Sequence, residues 1–215
     1  MDITKFKGAI FDLDGTLLDS MHIWHDVDEE FFRRRNLKVT KEYVDIIKNM
    51  HLPAAAVYTK EKYNIEESVE EIVDEWLDLC AQGYLNNVDL KDGVYEYLKS
   101  LHEKGIKMAF ATASEKAVCE ETLKKQEIFD FFSASAYVSE INIGKTEPDI
   151  YLLAAERIGV DPHECIVFED IIEGIRGAKK GEFTTCGVFD KSSAKDENEI
   201  RRIADYYIKS FEELL

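Results

Sequence analysis

Phe11-Asp12-Leu13-Asp14-Gly15-Thr16-Leu17 is the stretch on which the reading of this 215-residue chain turns. Just before it, Gly8-Ala9-Ile10-Phe11 is a short apolar run that stops abruptly at two carboxylates and a glycine. That is the pattern of a buried strand delivering acidic groups to its carboxyl end, the edge where open α/β sheets hold their chemistry. Strand alternation points Asp12 and Asp14 roughly the same way, and they repel unless a cation or a shared proton offsets them. Mg²⁺ is the obvious cation, and Gly15 lets the backbone turn sharply and aim N–H groups at an anion. A hard cation, an acidic pair and a ring of amide donors describe a phosphoryl site. Asp-x-Asp-Gly also occurs in plain turns and in calcium loops. A calcium loop of the EF-hand kind is disfavoured, because Thr16 stands at its fifth position and Ile23 at its twelfth.

Outward from this stretch the pattern changes twice. From about Leu18 to Asn87 the periodicity is helical throughout. Asp19 or Ser20 is placed to cap a first helix with Ile23, Trp24, Val27 and Phe31 on one face, and Pro53 opens a later one. The clearest carries Val69, Ile72, Val73, Trp76, Leu77, Cys80 and Tyr84. This reads as a small bundle with Trp24 and Trp76 in its core. From Val88 onward strands alternate with helices: Ile106 to Ala111, Ser135 to Val138, Cys165 to Phe168 and Thr184 to Phe189, with an amphipathic helix after Pro148. A last helix and an edge segment occupy the tail. Such alternation predicts a Rossmann-like α/β domain, a parallel sheet covered by helices on both faces with its first strand central. The expected division is 1–17 with 88–215 as the α/β core and 18–87 as the helical insert.

The formal net charge of -17 argues against nucleic-acid and anionic-membrane partners. Cys80, Cys119, Cys165 and Cys186 show neither metal-ligand spacing nor a disulfide framework and read as reduced thiols in a cytoplasmic protein. No signal-peptide pattern or membrane-length apolar segment is present, so a soluble monomer is expected.

Three more polar signals fall where strands end. Thr112 follows Ala111 directly, Lys145 lies between a strand and a helix, and Glu169-Asp170 closes a strand. In a parallel sheet these ends share one edge with Asp12. Each alone has a plain explanation as a helix-start hydroxyl, a solvated lysine or a loop cap; together they supply a nucleophile, an acid/base, a phosphate-holding hydroxyl, a cation and metal ligands.

Asp12-Leu13-Asp14-Gly15-Thr16, Thr112, Gly144-Lys145-Thr146-Glu147-Pro148-Asp149 and Phe168-Glu169-Asp170 followed by Gly174 resemble, in order, the four motifs of the haloacid dehalogenase-like hydrolases. The likeness spans the chain and includes a helical cap inserted after the first motif, as in the phosphoglycolate phosphatase and β-phosphoglucomutase subgroup. Two departures stand out: Thr146 where the family commonly has proline, and Ile171 where it commonly has serine. The resemblance implies Asp12 as nucleophile, Asp14 as acid and base, Thr112 and Lys145 as holders of the phosphoryl oxygens, and Gly15, Ala113 and Ser114 as substrate contacts. It implies Mg²⁺ on Asp12, the backbone of Asp14, Asp170 and Glu169, the last directly or through water. His22, Lys48 and His51 are candidate readers of the leaving group.

The expected activity is Mg²⁺-dependent hydrolysis of a small phosphomonoester, a sugar phosphate or similar, through an aspartyl phosphate. The alternative is a phosphomutase. Mutase-type members place an arginine after the second cap helix, where this chain has Lys48-Asn49-Met50-His51-Leu52-Pro53, and a histidine where it has Trp24. A phospho-accepting signalling receiver fits less well, since its acceptor lies on the third strand and it has no helical insert.

Overall fold

The computed structural model describes residues 2–47, 50–141 and 143–215. The chain falls into two compact units: His22–Asn87, and Val88–Leu215 together with the N-terminal segment up to Met21.

The larger unit is built on β1 (Gly8–Phe11), β2 (Lys107–Thr112), β3 (Ala134–Tyr137), β4 (Cys165–Glu169), β5 (Thr184–Val188) and β6 (Tyr206–Ile208). They form one sheet in the order β3-β2-β1-β4-β5-β6, every pairing parallel. All four β1 residues are buried, as a strand covered on both faces requires. Gly8 lies opposite Lys107 on one side and Cys165 on the other, and Phe11 opposite Phe110 and Phe168, so the four-residue run is central.

Strand alternation sorts the core. Ile10 joins the apolar cluster of helix Asp149–Ile158 (Ile150, Tyr151, Ala154) and Val167. Phe11 goes with the opposite set, stacked on Phe168 at 4.7 Å, and Tyr97 of helix Val94–Glu103 and Phe211 close over that pair. Helices thus cover both faces of the sheet.

The helical unit contains α1 (Ile23–Arg34), α2 (Lys41–Ile47), α3 (Leu52–Tyr63) and α4 (Val69–Asn87). An aromatic cluster forms its centre: Phe31 meets Trp76 at 5.4 Å, and Phe32 meets Tyr43 at 4.9 Å and Tyr63 at 4.7 Å. Ser68 and Glu71 cap α4 reciprocally, each side chain bonded to the other's backbone N–H.

Two sequence expectations are corrected here. Asp19 and Ser20 do not cap α1, which starts at Ile23 with no side-chain cap. Leu18 instead pairs with Asp14 and Leu90, and the Lys91 N–H donates to the Leu17 carbonyl at 2.9 Å, which ties the segment beyond Leu17 into the sheet unit. Trp24 is not core: it stands 46% exposed, because the buried stripe is Ile23, Val27 and Phe31 and its neighbour falls about 100° off that line. Leu77 is exposed likewise, whereas Trp76 is buried. No disulfide joins the cysteines. Among the described residues no helix is long and apolar enough to cross a membrane.

Candidate active site

β1 ends at Phe11 and delivers Asp12 to the carboxyl edge of the sheet, its N–H held by the Phe168 carbonyl at 3.0 Å. β4 ends beside it with Glu169, followed by Asp170. Asp12, Glu169 and Asp170 are all buried, and each offers a carboxylate oxygen within 4.8 Å of the others. Lys145 stands among them, its ammonium donating to Asp12 Oδ1 and to Glu169 Oε1, the latter at 2.6 Å. Tyr151 donates to the same Glu169 oxygen at 2.8 Å.

Close backbone approach packs this cluster from both sides. Gly15 has φ +81, and a Cβ there would fall 2.5 Å from Asp170 Oδ2. Helix Ile172–Lys180 brings Gly174 so near that a Cβ would lie 2.4 Å from the Glu169 carboxyl carbon. Each glycine yields its side-chain volume to a carboxylate.

The electrostatics follow from burial. Loss of water pushes the Asp12 carboxyl up to about 7 despite Lys145, with Glu169 and Asp14 adding to the rise. Burial, followed by the charges of Asp12 and Glu169, pushes Asp170 up to about 9. For Lys145 burial works the other way, but Asp12 and Glu169 more than offset it and hold the ammonium above its ordinary range. One ammonium faces three buried carboxyls, so full ionisation of all three would need a further positive charge beside them. Asp170 Oδ2 has no hydrogen-bond partner. An all-oxygen donor set with that need and an orphaned oxygen fits a hard divalent cation such as Mg²⁺.

Asp14 is set apart from the cluster. Its Oδ1 accepts from Ser20 Oγ at 2.6 Å and its Oδ2 from Ser114 Oγ, which fixes the plane of the carboxyl group. Thr112 closes β2, fully buried, and its Oγ1 accepts from the Ser114 N–H at 3.0 Å. Thr16 Oγ1 reaches Asp170 Oδ1 at 3.4 Å. Asp12, Lys145, Glu169 and Asp170 thus form one hydrogen-bonded or close-packed group, and Asp14, Thr112 and Ser114 a second. Ala113 is exposed in the loop between Thr112 and Ser114.

Two of the three expected leaving-group readers are engaged locally in the helical unit. His22 faces Asp26 at 3.7 Å, and His51 caps α3 through Nδ1. Lys48 lies outside the described residues. Sequence reasoning missed Ser20, taken for a helix cap, and Tyr151, whose place beside Ile150 on an inward helix face was the available signal. It also missed Lys91, which donates to the Gly15 and Phe189 carbonyls, each at 2.6 Å, and to Asp190 at 3.0 Å. No local pattern announces a lysine whose partners come from two remote loops.

The chain is similar to known proteins over most of its length. The family model of the haloacid dehalogenase-like hydrolases matches residues 6–181. Hexitol phosphatase B of Escherichia coli is 26% identical over 98% of this chain and 95% of its own length. Phosphorylated carbohydrates phosphatase of Thermotoga maritima is 26% identical over 80% of each chain. A Thermotoga maritima crystal structure, provisionally named a β-phosphoglucomutase, superposes with a TM-score of 0.86 at 25% identity, covering 97% of this chain and 96% of that one.

Proposed function

The chain belongs to the haloacid dehalogenase-like hydrolases, and from that premise we propose that it is a magnesium-dependent phosphatase of small phosphomonoesters working through Asp12. The observation that carries the reading is the buried trio Asp12, Glu169 and Asp170 with Lys145 among them at the ends of neighbouring parallel strands.

An Asp12 oxygen attacks phosphorus, forming an aspartyl phosphate as the bond to the leaving oxygen breaks, and Asp14 gives that oxygen its proton. Water then attacks phosphorus, loses its proton to Asp14 and returns Asp12 as phosphate departs. Ser20 and Ser114 keep the Asp14 carboxyl in plane in both protonation states, since either hydroxyl can reverse from donor to acceptor. Lys145 neutralises the nucleophile as the phosphate approaches, and Thr112 supplies a hydroxyl to a phosphoryl oxygen. Glu169, anchored by Tyr151, sets the position of Lys145. Asp12, Asp170 and the Asp14 backbone, with Glu169 in support, would hold Mg²⁺, which would supply charge neutralisation to the phosphoryl oxygens. Residues of the helical unit, His22, Lys48 and His51 among them, are assigned to leaving-group recognition. Sugar phosphates head the substrate class because two relatives are named as phosphatases of hexitols and of phosphorylated carbohydrates.

Hydrolysis of an aryl phosphate tests the reading. Activity should require a divalent cation and vanish in Asp12→Asn. Full turnover in excess chelator, or in that variant, overturns it.

A further inference from the structure

Val88-Asp89-Leu90-Lys91-Asp92 runs from the end of α4 toward the helix Val94–Glu103, and its lysine is not a solvated one. The Lys91 side chain is 16% exposed. Its ammonium has three N–H donors for three acceptors: the Gly15 and Phe189 carbonyls, each at 2.6 Å, and Asp190 Oδ2 at 3.0 Å. The main chain of the same residue donates to the Leu17 carbonyl at 2.9 Å. Lys91 thus grips the turn after β1 at two points, one from its backbone and one from its side chain.

That turn carries the backbone assigned to the cation. The Gly15 N–H donates to the Leu18 carbonyl at 2.9 Å, and because a peptide is planar this bond fixes the direction of the Asp14 carbonyl. The Gly15 carbonyl is held by Lys91, so both peptides flanking a φ of +81 are pinned. A glycine has many other conformations open to it, and its place in the turn therefore depends on what holds it. Gly15 also lies against Asp170: a Cβ there would fall 2.5 Å from Oδ2, the oxygen without a hydrogen-bond partner, and Thr16 Oγ1 lies 3.4 Å from Oδ1. Asp190 is close enough that, after burial, Asp12 and Glu169, its charge adds to the rise at the Asp170 carboxyl.

We propose that Lys91 is a positioning residue of the divalent-cation site: by holding the Gly15 carbonyl it fixes the Asp14 backbone and the glycine wall against which the Asp170 carboxylate is set. The assignment rests on the phosphatase reading, which supplies the cation. Position and charge give opposite signs for the loss of Lys91. Removing a positive charge nearby favours a second cation, whereas releasing the turn disfavours it.

Calorimetric titration of the whole chain with Mg²⁺, at one fixed pH, decides between them. Lys91→Met should bind Mg²⁺ about tenfold more weakly than the unaltered protein, and Lys91→Arg, which keeps donors for the carbonyls, should fall between the two. Because Lys91→Met leaves Asp190 buried without its cation, a second comparison removes that charge as well. Lys91→Met combined with Asp190→Asn should bind Mg²⁺ about tenfold more weakly than Asp190→Asn alone, although urea unfolding should find the double variant at least as stable, since it strands no charge. A lysine that served only stability, or acted only through its field, would give the double variant equal or tighter Mg²⁺ binding than Asp190→Asn, and that result overturns the proposal while leaving the phosphatase reading in place. An unaltered protein that takes up no Mg²⁺ removes the phosphatase reading and the assignment of Lys91 together.

Discussion

Asp170, 2% exposed with one oxygen lacking any hydrogen-bond partner, is a residue the fold tolerates at a cost. Its carboxyl is pushed from 3.8 up to about 9, so between those values the folded state binds a proton that the unfolded state has released. Stability conferred by the protonated form is therefore full below about pH 4 and lost as the pH rises toward 9. Asp12, pushed up to about 7, adds to the same slope. Chelated protein should lose melting temperature between pH 5 and pH 8, and Mg²⁺ at roughly a hundred times its dissociation constant should raise it by about 5–10 °C at pH 8 and by less at pH 5. In Asp170→Asn the chelated protein should melt higher at pH 8 and the Mg²⁺ effect should shrink sharply; an unchanged Mg²⁺ shift would remove Asp170 from the cation site. The residues that could be read from the sequence alone were those announced by an abrupt change of character at a strand end, as in Phe11-Asp12 and Phe168-Glu169. Ser20 and Tyr151 carry no such local contrast, because what defines them is a partner elsewhere in the chain.

Among the elements, the turn after β1 depends on more than its own glycine. The Lys91 ammonium joins the Gly15 carbonyl, the Phe189 carbonyl after β5 and the buried Asp190 carboxylate. Asp190 is itself fixed by the Ser192 hydroxyl and N–H, and these with Lys91 hold its carboxyl below the usual range in spite of burial. Lys91→Met keeps the length of the side chain but strands Asp190 and two carbonyls. It should cost about 3 kcal/mol in urea unfolding, with a fall in kcat as the Gly15 turn loosens, and Lys91→Arg should recover part of both. Wild-type stability in the methionine variant would mean the pair is solvated and holds nothing. Elements with a strong single period, such as α4 and the helix after Pro148, were legible. The start of α1 was not, since Ser20 had a better partner in Asp14 than in a helix terminus.

The molecule as a whole was legible in its class and less so in its pairing. Alternation from Val88 onward gave a parallel sheet with β1 in the middle, but the order β3-β2-β1-β4-β5-β6 emerges only from the contacts themselves. Composition separates the fully buried β1 and β4 from the half-buried edge strands β3 and β6, but each buried face accepts several neighbours, so it does not fix the pairing. That order has a consequence for biosynthesis. Gly8–Phe11 leaves the ribosome before either of its partners, Lys107–Phe110 and Cys165–Phe168. The strand that carries the nucleophile therefore waits, with one or both edges open, while most of the chain is still being made. A polypeptide stopped at Glu164, just before β4, should be cut by protease near Phe11, whereas the full chain should resist there. Equal resistance would mean that β2 alone secures the strand. The segment of the catalytic centre that is translated earliest is thus the one whose exposed edges stay open longest before its partners exist.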